Sequence, residues 1–381
     1  MMSEDRGYRA AFYRGGTSKA LVFNRADLPA REEWASIFLR AMGSPDPTGR
    51  QLDGMGGGLS SLSKVCIVEP SDHPDADVDF TFAQVQIRES VVDFAGNCGN
   101  MSAAIGPFAV DEALVVVEDG TATVRIRNVN TDKIMHATFE VRQGRAVSAG
   151  KLAIPGVAGT GAPVKLDFLA PGGATTGTLL PAGAATVELS TPEHGTFAVS
   201  MVDAANACAF VSAEAVGLTG VEMPEDLERR GDVLETLMSI RLSASVAMGI
   251  APDRYTAAAR PVVPFIAVVA PGRAFVTLDG VAVTGDESDL AIRMMSSGQP
   301  HRAIPMTGAI CAAAAAAIPG TILHDIAGAR PTLRLGTPSG VITVAAEPDT
   351  DHGGGSAVAG VRSASIFRTW RRLFDGTVYP R

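Results

Sequence analysis

No stretch of this 381-residue chain is apolar for long enough to span a bilayer. Its opening, Met1-Met-Ser-Glu-Asp-Arg-Gly-Tyr, lacks the apolar core that a secretory signal carries. The alanine run at 312–317 is short and closes at Pro319-Gly320. Charge is sparse as well: 19% of residues are charged, and the net charge is −9. A nucleic-acid surface needs a clustered basic face. The one basic cluster, Arg362, Arg368, Arg371 and Arg372, is interleaved with Ile366, Phe367, Trp370 and Leu373 and reads as a solvated face. Neither a nucleic acid nor a membrane is therefore expected as a partner. Cysteine is scarce, and Cys66, Cys98, Cys208 and Cys311 have no framework spacing, which points to a reducing, cytoplasmic setting without disulfides. The six histidines show no paired ligand spacing, so no metal site is expected.

What is present is apolar residue (46%), glycine (41) and proline (23), the composition of a compact protein with many tight turns. The length favours two domains, read here as 1–192 and 193–381, with the last segment packing back on the first. Strands at 8–13 and 20–23 flank Arg14-Gly-Gly-Thr-Ser-Lys19, which differs from a Walker loop in order and precedes a strand rather than a helix. A helix over 27–42 is expected, capped by Asp27, with Pro29 in its first turn and Trp34, Ile37, Phe38 and Ala41 on one face. A glycine-rich loop, Asp53-Gly-Met-Gly-Gly-Gly-Leu-Ser-Ser-Leu-Ser-Lys64, enters a buried strand at 65–68. Its Leu59 and the absence of a following helix exclude a dinucleotide fingerprint. Strands follow at 78–88, 122–128 and 137–141.

In the second half, strands are expected at 195–202, 207–211, 264–269, 274–278, 332–335, 340–345 and 357–367, with helices at 225–248 and 287–297. The acidic turn at 347–352 reads as a hairpin connection. In both halves an apolar helix starts after a small polar segment, at Asn97-Cys98 and at Thr307-Gly308. A helix apolar on all sides must be buried, so strands should wrap it. With Asn97 as N-cap, Cys98 would fall in the first turn, where unpaired N–H groups and the helix dipole favour a thiolate and an anion. Read alone, Lys64 is a surface lysine at a strand start, Cys98 is as readily an inert core thiol as a reactive one, and Cys66, Cys208 and Cys311 are core residues.

Tyr13-Arg-Gly-Gly-Thr-Ser-Lys19, Asp53-Gly-Met-Gly-Gly through Ser63-Lys64, Gly96-Asn-Cys-Gly-Asn100, Leu180-Pro-Ala-Gly183, Asp203-Ala-Ala-Asn206, His301 with Ala317-Ile-Pro-Gly320, and Pro338-Ser-Gly340 follow one another along nearly the whole chain. Together they resemble the PrpF family of isomerases. The resemblance implies an α/β (α+β), diaminopimelate epimerase-like fold. That fold has two pseudo-symmetric domains, each a barrel-like mixed sheet around a central helix, with the active site in the interdomain cleft.

Members of that family move a double bond in unsaturated di- and tricarboxylates such as 2-methylaconitate, 3-methylitaconate and 4-oxalomesaconate, without metal or organic cofactor, and aconitate is a further candidate substrate for this chain. Lys64 and Cys98 match the family's proton-transfer residues. Donors for the substrate carboxylates and the dienolate are sought among Arg14, Thr17, Ser18, Ser63, Asn97, Gly99, Asn100, Thr307, Gly308 and Ser339, with His301 beside them. The expected partner is a small polycarboxylate, and the reading is compatible with a homodimer. Racemases of this fold place a second cysteine at the start of the second central helix. Met306-Thr307-Gly308 stands there instead, with Cys311 about a turn further on. An epimerase or racemase of an amino or hydroxy acid, and a non-catalytic polycarboxylate-binding protein, are the alternatives.

Overall fold

The computed structural model describes residues 6–94, 98–259, 263–296, 298–349 and 360–380. The chain divides into two compact units, Met1–Leu166 with Phe367–Arg381, and Asp167–Ile366. The sequence places the division at 192. The glycine-rich segment before that point instead belongs to the second unit, because Gly173 N–H donates to Asp203 O and Asp203 N–H donates to Leu179 O.

In the first unit β1 (Tyr8–Gly15) and β2 (Ser18–Asn24) form an antiparallel hairpin. Helix α1 (Trp34–Met42) leads to β3 (Lys64–Pro70), parallel to β2. Strand β4 (Val78–Val85) returns antiparallel to β3 and carries the short β5 (Val92–Asp93). Helix α2 (Gly99–Asp111) then leads to β6 (Gly120–Asn128), parallel to β4. Strand β7 (Lys133–Arg142) is antiparallel to β6 and carries β8 (Arg145–Ala146). Strand β9 (Pro163–Leu169) pairs with β7 and with β20 (Gly360–Val378), whose end pairs with β1, so the sheet closes on itself.

Side chains alternate along strands, and this decides what faces the central helix. Phe12, Leu21, Phe23, Val65, Ile67, Ala83 and Val85 form one core with Trp34, Ile37 and Phe38 of α1. Their neighbours Ser18, Lys64, Cys66, Phe82 and Gln84 therefore lie on the other face of the sheet, the face against which α2 packs. Every residue of α2 from Met101 to Val110 is buried, as expected of a helix with no polar side.

Two expectations change here. The helix read as starting at Asp27 is preceded by separate 3-10 turns, Arg25–Asp27 and Arg31–Glu33, and α1 proper begins at Trp34. Leu28 is extended because the following Pro29 disfavours a helical residue before it. The basic C-terminal cluster is not a solvated face. Strand β20 runs on to Val378, and alternation turns Arg368, Trp370 and Arg372 inward while Arg371 and Leu373 face out. Arg372 pairs with Glu112 at 2.7 Å, and Arg368 is only 8% exposed.

The second unit repeats the same order. Strand β10 (Val187–Thr191) pairs with β11 (Gly195–Ala204), which forms a hairpin with β12 (Asn206–Ser212). Helices α3 (Pro224–Glu228), α4 (Gly231–Ala247) and α5 (Arg254–Ala258) precede β13 (Phe265–Pro271), parallel to β12. After the hairpin β14 (Phe275–Val276) and β15 (Ala282–Val283) comes β16 (Leu290–Ser296), antiparallel to β13, with β17 (Gln299–Pro300) beside it. Helices α6 (Met306–Ala316) and α7 (Ile322–Ala327) lead to β18 (Leu333–Thr337), parallel to β16. Strand β19 (Gly340–Asp349) then pairs with β18 and with the first part of β20. Helix α6 is buried from Gly308 to Ala316.

The segment read as a helix over 287–297 is strand β16, held between β13 and β18. Its run Leu290-Ala-Ile-Arg-Met-Met is buried on both faces, and apolar residues on either side of the one charge, Arg293, carry no period that separates helix from strand. The helix read over 225–248 is broken into α3 and α4 just before Gly231. Among the described residues no helix is long and apolar enough to cross a membrane.

Candidate functional site

The β1–β2 turn is pressed against the first turn of α2. A Cβ on Gly15 would lie 2.5 Å from Asn100 O and 2.9 Å from Met101 Cα. A Cβ on Gly16, whose φ is +50°, would lie 2.3 Å from Asn100 Oδ1. The paired glycines thus serve close approach as well as the turn. Asn100 Nδ2 donates to Thr17 Oγ1 at 3.1 Å, and the Cys98 thiol stands 4.0 Å from Ser18 Oγ.

Cys98 is one position earlier than expected: it is the N-cap, with φ −126° and ψ 93°, and its carbonyl accepts the first helical bond from Ser102 N–H at 3.0 Å. Asn97, expected as the cap, lies outside the described residues. The N–H groups of Gly99, Asn100 and Met101 precede the first helical bond and point out of the helix end. Cys98 is 9% exposed, whereas the other cysteines have no exposed surface.

Lys64 opens β3 on the α2 face and is buried, not a surface residue. Its Nζ donates to Gln84 Oε1 at 2.5 Å, directly across the β3–β4 ladder, and lies 4.9 Å from the centre of the Phe82 ring. Gln84 Nε2 in turn donates to Ser63 O and Ser60 O, so the amide is fixed from both ends. No carboxylate pairs with Lys64 among the described residues. Cys66, two residues along on the same face, is fully buried. Burial pushes its thiol well up, with nearby Cys98 adding to the shift and Lys64 opposing it. That shared influence identifies Cys98 and Lys64 as common neighbours of one buried thiol.

The loop into Lys64 is organised by Gln51, which is 1% exposed. Its Nε2 donates to Ser44 Oγ and Ser63 Oγ, and its Oε1 accepts from Gly58 N–H. Ser63, expected to hold substrate, has no exposed surface and donates its hydroxyl to Val85 O. It belongs to the scaffold beneath Lys64. Arg14 Nη1 donates to Gly16 O and Thr369 O, tying the turn to β20.

In the second unit, His301 Nδ1 accepts from Ala303 N–H, and burial lowers the imidazole below its ordinary value. Thr307 and Gly308 occupy the first turn of α6. A Cβ on Gly308 would lie 2.4 Å from Met294 Sδ, so close packing requires the glycine. Ser339 Oγ donates to Arg302 O at 2.6 Å. Cys311 is fully buried inside α6 with its thiol on Val202 O. Cys208 beside it has a thiol pushed well up, first by burial and then by Cys311. Neither cysteine offers the exposed thiol that a two-cysteine racemase needs.

Sequence reasoning missed Gln84, Gln51 and Arg368. Gln84 was detectable only through strand register, as the residue opposite Lys64. Gln51 lies in a loop without periodicity, and Arg368 was masked by its exposed basic neighbours.

The family model described as PrpF protein matches residues 8–381. The chain belongs to the PrpF family. This PrpF protein is 40% identical over 384 residues to the 3-methylitaconate isomerase of Eubacterium barkeri, covering 99% of this chain and 98% of that one. It is 34% identical to the 2-methyl-aconitate isomerase of Shewanella oneidensis, covering 97% and 96%. A crystal structure of methylitaconate-delta-isomerase superposes with a TM-score of 0.90 at 40% identity, covering 99% of this chain and 96% of that chain. This member of the PrpF family is an isomerase with a mixed α/β fold.

Proposed function

We propose that the protein moves a carbon–carbon double bond within an unsaturated di- or tricarboxylate of the aconitate or itaconate type, by a 1,3-allylic proton shift or the related cis–trans change. Lys64 and Cys98 are the proton carriers in this reading. The supporting observation is Lys64 itself: a buried lysine, free of any carboxylate among the described residues, held by a neutral amide and sharing the neighbour Cys66 with Cys98.

The reaction is redox-neutral and no group leaves, so metal or organic cofactor is not required for its balance. One carrier takes a proton from the carbon next to the conjugated unit. The electron pair spreads as a dienolate onto a substrate carboxylate, and the second carrier returns a proton at the far end of the three-carbon unit. A neutral lysine accepting and a thiol donating would balance, as would a thiolate accepting and an ammonium donating. The charge that accumulates on the carboxylate calls for positioned donors, and the Gly99, Asn100 and Met101 N–H groups at the α2 start are of that kind.

The test is turnover in D2O of a panel of methylaconitate, methylitaconate, aconitate and oxalomesaconate. Label entering at an allylic carbon as the double bond migrates is the expected result. Label at one stereocentre with connectivity unchanged would mark an epimerase instead, and absence of exchange across the panel would remove the isomerisation of these acids. Lys64→Met and Cys98→Ala should each lower kcat by about 10²-fold or more without lowering the unfolding midpoint. Near-normal turnover in either variant would take that residue out of the mechanism.

A further inference from the structure

Arg368 lies in β20 on the face of the sheet that packs on α2, and its side chain is 8% exposed. Its Nε donates to Asn100 Oδ1 at 3.3 Å in the first turn of α2, and its Nη1 donates to Phe367 O at 3.1 Å. The next residue is anchored to the turn: Gly16 N–H and Arg14 Nη1 both donate to Thr369 O. Nη2 has no hydrogen-bond partner, and no carboxylate pairs with the guanidinium, among the described residues.

The other buried arginines differ. Arg293, whose Nη2 is likewise unpartnered, is enclosed by the carbonyls Glu222 O, Ile292 O and Gly336 O, Arg241 donates to Ala257 O, and the half-buried Arg372 pairs with Glu112 and Asp375; of these, only Arg368 stands at the first turn of a central helix. Burying an unpaired cation is costly, and placing it at the positive end of a 13-residue helix increases the cost. An anion at the α2 start would stabilise both elements at once.

We propose that Arg368 binds a carboxylate of the substrate at the first turn of α2, next to Cys98, through its unpartnered Nη2 together with the free N–H groups of that turn. Asn100 is the positioning residue between them, holding Arg368 Nε on one side and Thr17 on the other. The inference rests on the isomerase reading of the same site and extends it to the residue that selects for acids.

The experiment is calorimetric titration of the full chain with tricarballylate, a saturated tricarboxylate that cannot isomerise, and with its trimethyl ester. The unmodified protein should bind the acid and not the ester. Arg368→Gln should weaken acid binding by about 10- to 100-fold, the range expected for a hydrogen bond to a charged group, and Arg368→Lys should restore part of it. In turnover, Arg368→Gln should raise KM more than it lowers kcat, a split that misfolding alone does not produce. If the glutamine variant does not fold, the lysine variant decides. Equal tricarballylate affinity in the glutamine variant and the unmodified protein, or in the lysine variant where that alone folds, or absence of acid binding by the unmodified protein, would overturn the inference. Arginine-dependent acid binding without turnover of any unsaturated acid would leave the inference standing and refute the isomerisation.

Discussion

Gly16→Ala tests the close approach of the β1–β2 turn to α2. The glycine has φ +50°, which costs an L-residue roughly 1–2 kcal/mol, offset by about 0.4–1 kcal/mol from the stiffer unfolded chain. The new methyl would also sit 2.3 Å from Asn100 Oδ1 and 3.0 Å from its Cγ. Asn100 cannot swing away freely, because Thr17 and Arg368 hold its two ends, so overpacking should add about 1–3 kcal/mol. The sum is a destabilisation of about 2–4 kcal/mol in the first unit.

The assay is urea unfolding followed by tryptophan fluorescence, since Trp34 and Trp370, the only two tryptophans of the chain, both lie in the first unit. Repeating the substitution in an Asn100→Ala background separates the two contributions. There the contacts with Oδ1 and Cγ are gone and only the Cβ of residue 100, at 3.2 Å, stays close, so the cost should fall toward the backbone strain of about 1 kcal/mol. Equal costs in the two backgrounds would refute the collision and leave the glycine explained by its dihedral alone.

Cys98 should be the first thiol alkylated by a small reagent in the native protein, with Cys66, Cys208 and Cys311 labelled only on unfolding, because Cys98 alone has measurable exposure and burial pushes the Cys66 and Cys208 thiols up. Mass mapping of the labelled peptides reads this directly, and early labelling at Cys311 would contradict the placement of its thiol on Val202 O. His301 should make the second unit acid-sensitive. Its imidazole is held below the ordinary value of 6.5 by burial, so the unfolded chain binds the extra proton first as pH falls. Stability from this group is complete above about 6.5 and is lost progressively down to the lowered folded value. His301→Gln should flatten the dependence of the far-ultraviolet unfolding midpoint on pH below about 6.5, and an unchanged slope would count against it.

The elements that a single sequence reveals here are those with an unambiguous period or flank. The strands around the Gly15-Gly16 turn, the two all-apolar helices and the strand entered at Lys64 all follow from that kind of signal. Strand β16 was illegible because burial on both faces erases alternation, and apart from Arg293 the stretch from Leu290 to Met295 is as apolar as a buried helix. The inward arginines of β20 were illegible for a related reason. Arg368, Thr369 and Trp370 are all buried while 371–374 are exposed or half-buried, and the inward positions Arg368, Trp370 and Arg372 carry charge or a polar ring, so hydropathy shows no stripe. At the candidate site the motifs marked Lys64 and Cys98, while the groups that hold them depend on pairing across strands. Gln84 is placed by register, and Arg368 by a strand nearly the whole chain away from Arg14.

The two units share one order of pairing, and comparing equivalent positions separates scaffold from chemistry. Strand β3, Lys64-Val-Cys-Ile-Val-Glu-Pro70, and strand β13, Phe265-Ile-Ala-Val-Val-Ala-Pro271, each follow a parallel partner and end at proline. Val65 and Ile67 pack in the core with α1, as Ile266 and Val268 pack in the core with α4, so the outer faces are equivalent. The inner faces have diverged. Lys64 stands where the second unit has Phe265, and Cys98 caps α2 where Pro305 caps α6. Had burial alone shaped the first position, an apolar residue like Phe265 would serve, because a buried lysine without a carboxylate is costly. The cost is accepted in one repeat and absent from the other, so the sheet itself does not require a lysine there, which supports the proposed role of Lys64 in proton transfer.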